Sequence, residues 1–314
     1  MADTGRQPSE PDPGHSGEGT ATIDSVDGNR HRRFVFQEQF VTSFDAEVAI
    51  PKALTIAGSD SGAGAGIQAD LKTFAAHGVY GTSAITAVTA QNTREVIAIA
   101  EVPEEVVAAQ IDSVLEDIGA GAIKTGMLSS AKIVATVCER IEAWGIPTVV
   151  DPVMVSKGGS YLLSPDAIAA VKRHLIPLSL VVTPNHHEAA ALTGVEIRSD
   201  DDAREAARRL SDLGARIVVI KGGHRPGEPI DLVYDGDSFG ELSAERVETE
   251  NTHGTGCTFS AAITANLALG YGPIESIGRA KQYLTEALRT SYRIGGGHSP
   301  VNHFHTFEPV GSHR

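Results

Sequence analysis

Apolar positions along this chain alternate between two periods, and the alternation begins at Ala53. ALTIA (53–57) predicts a buried strand, and Ile67, Leu71 and Phe74, spaced i, i+4, i+7 within 66–77, predict a helix that Gly78 closes. TSAITAVTA (82–90) predicts the next strand. After Pro103, Val107, Ile111, Val114 and Ile118 form one helical stripe, and AIKTG predicts a short strand behind it. Ser129 and Ser130 open a helix in which Val134, Cys138 and Ile141 share a face and Gly145 ends the run. PTVVDPVMV (147–155) reads as a strand leaving through a proline turn, and SPDAIAAVKRHL (164–175) as a helix with Ser at its N-cap and Pro at its first position. SLVVTPN (179–185), the helix DDAREAARRLSDLG and the strand RIVVIKGG (216–223) repeat the scheme. Strands alternating with helices predict an α/β fold with a mostly parallel central sheet and helices on both faces. Several strands run into polar or glycine-rich turns: AGSDSGAGAG, AQNT, KTGM, DPVM, TPN and KGGH. Ligands of such sheets bind at the carboxyl ends of the strands, so these turns are expected to line one site.

Upstream of this pattern the chain changes character. Residues 1 to about 30 are rich in Gly, Pro, Ser, Asp and Glu and hold too little apolar surface to offset the entropy of ordering, which predicts a disordered tail. The following HRRFVFQEQFVTSFDAEVAI carries aromatic and β-branched residues, enough for a short extra strand or a segment draped over the domain. Charge narrows the partners: 40 acidic against 26 basic residues, with no Lys/Arg-rich segment, argue against nucleic acid and against anionic membranes. No stretch approaches the ~18 unbroken apolar residues of a membrane span, and the first residues lack the basic flank and apolar core of a secretory signal. Two cysteines without CxxC or Cys/His metal spacing fit a reducing, cytoplasmic setting.

The turns carry the chemistry. AGSDSGAGAGIQADLK (57–72) is not a dinucleotide fingerprint, because Ile67 stands where the third glycine after Gly62 and Gly64 belongs, and no acidic residue follows ~20 positions on. It reads instead as a small-residue turn that lets a substrate approach the backbone and a helix N-terminus, or as a loop needed only for tight packing. No G-x-x-x-x-G-K-[ST] occurs. His253-Gly254-Thr255-Gly256-Cys257 has the glycines to converge successive N–H groups on an anion, and the following helix, with Phe259, Ile263 and Leu267 spaced by four, aims its positive end at the same point. That arrangement suits charge developing in phosphoryl transfer. At a helix N-terminus the Cys257 thiol is expected to have a lowered pKa and to accept a proton; the alternative is a small core residue, the part assigned to Cys138. Asp151, Asn185, Glu188 and Lys221 stand at strand ends, the carboxylates suited to Mg²⁺ and the lysine to phosphate. His298, His303 and His305 lack the company a metal site needs.

The order of these motifs resembles the ribokinase superfamily, and specifically the hydroxymethylpyrimidine/phosphomethylpyrimidine kinase family of thiamine biosynthesis. The resemblance runs from about Ala53 to Phe307 through ALTIAGSDSGAGAGIQADLKTF, TAVTAQNT, KTGML, DPVM, TPNHHEAAAL, IKGGH, NTHGTGCTFSAA and PVNHFH. It implies a ribokinase-like three-layer sandwich, usually a homodimer, in which ATP and Mg²⁺ phosphorylate 4-amino-5-hydroxymethyl-2-methylpyrimidine and then its monophosphate. It implies a kinase domain over 46–309, after an extension over 1–45 and before a tail over 310–314. By position, Gln91 resembles the amide that reads the aminopyrimidine edge, with Ala65, Asp70, Met127 and Val153 nearby. Lys221, Asn185, Glu188 and Asp151 resemble the nucleotide side, Asp151 and Glu188 also the metal ligands. Gly254, Thr255 and Gly256 resemble the anion hole, and Cys257 the residue that replaces the aspartate of the sugar kinases. The first loop departs from the family, which has adjacent glycines where this chain has Ala63. Two other readings stand beside this one. A pyridoxine/pyridoxal kinase shares the GxGC turn, though AQNT with Gln91 favours the pyrimidine. A pyrimidine-binding sensor with little turnover shares the fold, though Lys221, Glu188, the glycine turn and Cys257 together argue for catalysis.

Overall fold

The computed structural model describes residues 31–33, 50–155, 162–222 and 229–307. The tail expected over 1–30, most of the segment after it, Gly223 and His224 of the KGGH turn, and 310–314 lie outside the described residues.

The β-branched runs of the sequence lie side by side in one sheet. Its strands are β1 (His31–Arg33), β2 (Lys52–Asp60), β3 (Tyr80–Gln91), β4 (Val96–Glu101), β5 (Ala122–Thr125), β6 (Thr148–Val150), β7 (Val181–Val182), β8 (Ile217–Ile220), β9 (Asp231–Tyr234) and β10 (Phe239–Leu242). The helices are α1 (Gly66–Ala76), α2 (Glu104–Asp117), α3 (Ala131–Trp144), α4 (Pro165–Ala170), α5 (His186–Thr193), α6 (Asp200–Asp212), α7 (Thr255–Ala268) and α8 (Pro273–Arg289). Strand order is β1-β10-β9-β8-β7-β6-β5-β2-β3-β4. The six strands from β8 to β3 run parallel, β4 and β9 turn back against their neighbours, and β1 lies parallel to β10.

Successive strand residues face opposite layers, and both layers are closed. Val150 and Val182 pack with Val107 and Ile111 of α2 and with Val134 and Val137 of α3. Val149 and Val181, one position earlier, pack with Phe259 and Ile263 of α7 and with Ile277 and Leu284 of α8. The result is the three-layer α/β sandwich that the alternating pattern predicts.

Several elements depart from expectation in detail. On α1, Ile67 and Phe74 are buried, but Leu71 is half-buried and Asp70 takes the enclosed position instead. The helix lies between the sheet and α7, so its buried arc centres on Ala69, Asp70 and Thr73. On α2 the buried face is Val107, Ala108, Ile111 and Leu115; the helix ends at Asp117, which leaves Val114 and Ile118 on its flank. The helix opened by Ser164, whose Oγ accepts the Ala167 N–H at 3.2 Å, passes after Ala170 into a π turn (Val171–Leu175) and a 3₁₀ turn at Pro177. Of the strand expected over 179–185, Val181 and Val182 form the regular ladder, Leu180 and Thr183 donate to β6 on either side of them, and Pro184, which has no N–H to give, ends the run. The α3 helix matches its pattern: Val134, Cys138 and Ile141 are buried and Gly145 closes it at φ +62°.

Candidate active site

The carboxyl ends of β2, β3, β5, β6 and β8 and the N-termini of α1, α5 and α7 surround a cavity of about 950 Å³. Two glycine loops form one wall. Asp60, at the end of β2, accepts the Gly62 N–H on Oδ1 at 2.8 Å and the Gly64 and Ala65 N–H groups on Oδ2 at 3.1 and 2.8 Å. These bonds curl residues 60–65 into a tight turn with Ala63 at φ +59°. Burial opposes ionisation of Asp60, but His253 and the Ala65 and Gly62 amides outweigh it and lower its pKa. Gly254 leads into α7 at φ +75° and packs so closely on the first loop that an added Cβ would lie 1.8 Å from the Gly64 carbonyl oxygen. Only glycine permits that approach.

Two ion pairs lie beneath the loops. Lys124 of β5 is fully enclosed, its Nζ 3.0 and 2.8 Å from Asp70 Oδ1 and Oδ2, while Thr55 donates to Oδ2 at 2.6 Å. Burial works against its charge, yet Asp70, Cys257 and Asp151 hold the ammonium above its usual pKa. Lys221, just past β8, donates to Asp151 Oδ1 at 3.0 Å and lies 3.8 Å from Glu188 Oε2. Ser260 of α7 donates to the other Asp151 oxygen at 3.3 Å. Glu188 owes its place to a capping box: the Asn185 side chain accepts the Glu188 N–H, and Glu188 accepts the Asn185 N–H at 2.7 Å. Burial pushes the Glu188 carboxyl up to about 7, with Lys221 opposing and Asp151 adding to the rise. A Cβ on Gly256 would stand 3.2 Å from Lys221 Nζ, so the ammonium rests directly against the glycine turn.

Cys257 sits between two helix N-termini, within the first turn of α7 and hydrogen-bonded by the Gly66 N–H at the start of α1. The lowered pKa expected of it is not found. Burial pushes the thiol up to about 11; Lys124 and the Gly66 N–H favour the thiolate, but Asp70 and Asp151 add to the rise. Desolvation outweighs the pull of the two helix termini on the thiolate.

The cavity brings together Gln91, Ala65, Met127, Val153, Asp151, Asn185, Glu188, Lys221 and Gly254 to Cys257. Asp70 does not line it; that carboxylate lies one layer behind, and Lys124 is what meets the cavity. No motif marks Lys124; its signal is a lysine inside a strand that is otherwise buried throughout. Asp60 stands in a loop whose glycines draw the eye first. His303 and His305 brace the fold: His303 Nε2 lies 3.0 Å from Thr258 Oγ1, burial pushes its pKa down to about 4, and His305 packs on the Tyr283 ring. Among the described residues no cluster of three or more metal-ligating side chains occurs. Asp151 and Glu188 nonetheless fit Mg²⁺, which takes one or two carboxylates and completes its shell with water and phosphate oxygens.

Known proteins resemble this chain over most of its length. The family model described as phosphomethylpyrimidine kinase matches residues 60–302. A hydroxymethylpyrimidine/phosphomethylpyrimidine kinase of Rhizobium meliloti is 52% identical over 257 residues, covering 81% of this chain and 97% of that protein. The crystal structure of phosphomethylpyrimidine kinase from Clostridium difficile superposes with a TM-score of 0.68 at 44% identity, covering 76% of this chain and 99% of that one. The pyridoxal kinase of Staphylococcus aureus, in complex with AMP-PCP and pyridoxal, superposes with a TM-score of 0.75 at 39% identity, covering 81% and 94%.

Proposed function

Since the chain belongs to the phosphomethylpyrimidine kinase family, we propose that it uses ATP to phosphorylate hydroxymethylpyrimidine and then its monophosphate, yielding the diphosphate for thiamine biosynthesis. The observation that carries this reading is the contact of Lys221 with Gly256: an ammonium paired to Asp151 rests on a glycine turn at a helix N-terminus, one residue before a cysteine. Fixed positive groups aimed at one point are what a loose phosphoryl-transfer transition state requires.

Gln91 holds the aminopyrimidine edge, donating and accepting through its carboxamide, with Met127, Val153 and Ala65 around the ring. Asp70 acts from behind, fixing Lys124 at the cavity wall. Asn185 and Lys221 face the nucleotide, and the N–H groups of Gly254, Thr255 and Gly256 receive the transferred phosphoryl group. Asp151 and Glu188 would hold Mg²⁺, which when bound offsets charge on the phosphate oxygens. Once its own proton has passed to water, the Cys257 thiolate takes the proton of the hydroxymethyl oxygen. At rest the thiol keeps its own proton, and Lys124 and the Gly66 N–H are the groups that favour its loss.

We also infer a homodimer: the terminal β3–β4 pair leaves Val88, Ile97 and Ile99 exposed, an apolar face for a second copy, which sedimentation equilibrium tests. No helix among the described residues is long and apolar enough to cross a membrane, and we assign the enzyme to the cytoplasm. The deciding assay offers hydroxymethylpyrimidine, its monophosphate and pyridoxine side by side with ATP and Mg²⁺. Sequential conversion to the pyrimidine diphosphate is expected. Preference for pyridoxine would transfer the enzyme to the second reading, which the likeness to pyridoxal kinase favours; binding without turnover would make it a sensor.

A further inference from the structure

Asp60 and His253 both line the cavity, and both are held by bonds within the protein. The Asp60 carboxylate accepts three loop amides and, at 3.0 Å on Oδ2, the Nε2–H of His253. Three of these four bonds converge on Oδ2, which ties both loops to one oxygen. His253 is equally committed: its backbone N–H donates to the Ser299 carbonyl at 3.1 Å, and its ring packs where a side chain on Gly64 would stand, 2.2 Å from the Cβ position to Cδ2.

The bonds continue on either side. Ser61, next to Asp60, donates to the Gln91 carbonyl at 2.7 Å and accepts the Gln91 N–H at 2.8 Å. His253 is joined directly to Gly254, the first residue of the turn that leads to Cys257. A path of hydrogen bonds and peptide links therefore runs from Gln91 through Ser61 and Asp60 to His253 and the anion hole. Lys72, which donates to the Ala63 carbonyl at 2.8 Å, braces the same loop from α1.

We propose that Asp60 and His253 form a latch between the two glycine loops, positioning residues that couple the pyrimidine seat to the phosphoryl-binding turn. The assignment of the two loops rests on the kinase reading above; the latch itself rests on the bonds between them. Filling one site orders its loop, and the latch passes that order to the other, so that the transferred group and the attacking hydroxyl are aligned together. Misplacement by about 1 Å is enough to cost ~10²-fold in rate.

The test compares His253→Leu, which removes the donor, with His253→Gln, whose side-chain amide reaches the same carboxylate, and with Asp60→Asn. Steady-state kinetics are expected to show kcat falling ~10- to 100-fold in His253→Leu and Asp60→Asn, with KM for ATP little changed, and recovery to within about threefold in His253→Gln. The double variant should be no worse than the worse single one. Hydrogen exchange supplies a readout that does not depend on the pyrimidine: AMP-PCP should slow exchange in both 252–257 and 62–66 in the wild type, but only in 252–257 in His253→Leu. Equal responses of both loops in wild type and His253→Leu, or fully additive losses, would overturn the latch. A wild type that fails to phosphorylate the pyrimidine yet shows the linked exchange would overturn the substrate reading and leave the latch standing.

Discussion

Lys124 and Asp70 face each other as an ion pair shut off from water, the lysine Nζ within 3.0 Å of both carboxylate oxygens. Removing one member strands the other charge in the core. Lys124→Met is therefore expected to lower the unfolding free energy by about 3–5 kcal/mol, read from urea denaturation, whereas Lys124→Met with Asp70→Asn should lose clearly less than the sum of the two single changes. Additive losses would mean that the pair does not act as a unit.

The Cys257 thiol, lifted to about 11 by burial, should react slowly at neutral pH. Alkylation of the free enzyme by iodoacetamide is expected to speed up ~tenfold per pH unit from pH 7 upward, without a plateau below pH 9. Lys124→Met should slow it further, since the ammonium is the strongest group favouring the thiolate. In turnover, Cys257→Ala should cost ~10²-fold or more, and Cys257→Ser should keep part of the activity, because deprotonation is a modest share of a loose transfer.

Glu188 makes a pH prediction with a definite sign. Its carboxyl titrates near 4.5 in the unfolded chain and is pushed up to about 7 in the fold. Between those values the folded state binds the extra proton, so stability falls as pH rises from 4.5 to 7 and levels off above. Thermal denaturation without nucleotide should show that decline in the wild type and a shallower one in Glu188→Gln, whose side-chain oxygen still caps Asn185. The Mg²⁺ requirement should ease across the same window, as the carboxylate form becomes populated.

Ala63 holds a left-handed backbone without being glycine, at φ +59°. Ala63→Gly should relieve roughly 1 kcal/mol of strain and raise the melting temperature. Gly254→Ala should do the opposite and more, because its Cβ would meet the Gly64 carbonyl oxygen at 1.8 Å. A neutral Gly254→Ala would show that the two loops separate freely.

Periodicity carried most of the fold. The α3 helix was legible to its last residue, since Val134, Cys138 and Ile141 repeat on one side and Gly145 closes the turn. The sheet's antiparallel margins were not: Ile97 and Ile99 of β4 are exposed, so no burial pattern marks them, and β9 and β10 are four residues each around Gly236. Around the cavity, motifs mark the glycine turns and the strand-end polar residues, while nothing local marks Lys124 and Asp60. Their significance lies in contacts with Asp70, 54 positions away, and His253, 193 positions away, which no local pattern records. Cys257 marks the boundary between the two kinds of inference: its place follows from the turn, its protonation from how deeply the turn is covered.

At the far margin of the sheet, β1 pairs in parallel with β10, His31 opposite Phe239 and Arg33 opposite Glu241. A strand end with free N–H and C=O groups invites another molecule to add to it. The three residues from the N-terminal segment occupy that position, so a chain shortened to begin at Ile50 would keep its cavity and catalytic turns but offer β10 as a template for self-association. A three-residue end strand offers a shorter ladder than the four-residue β10 edge it covers, so β1 is expected to limit how copies of the protein pair along that side.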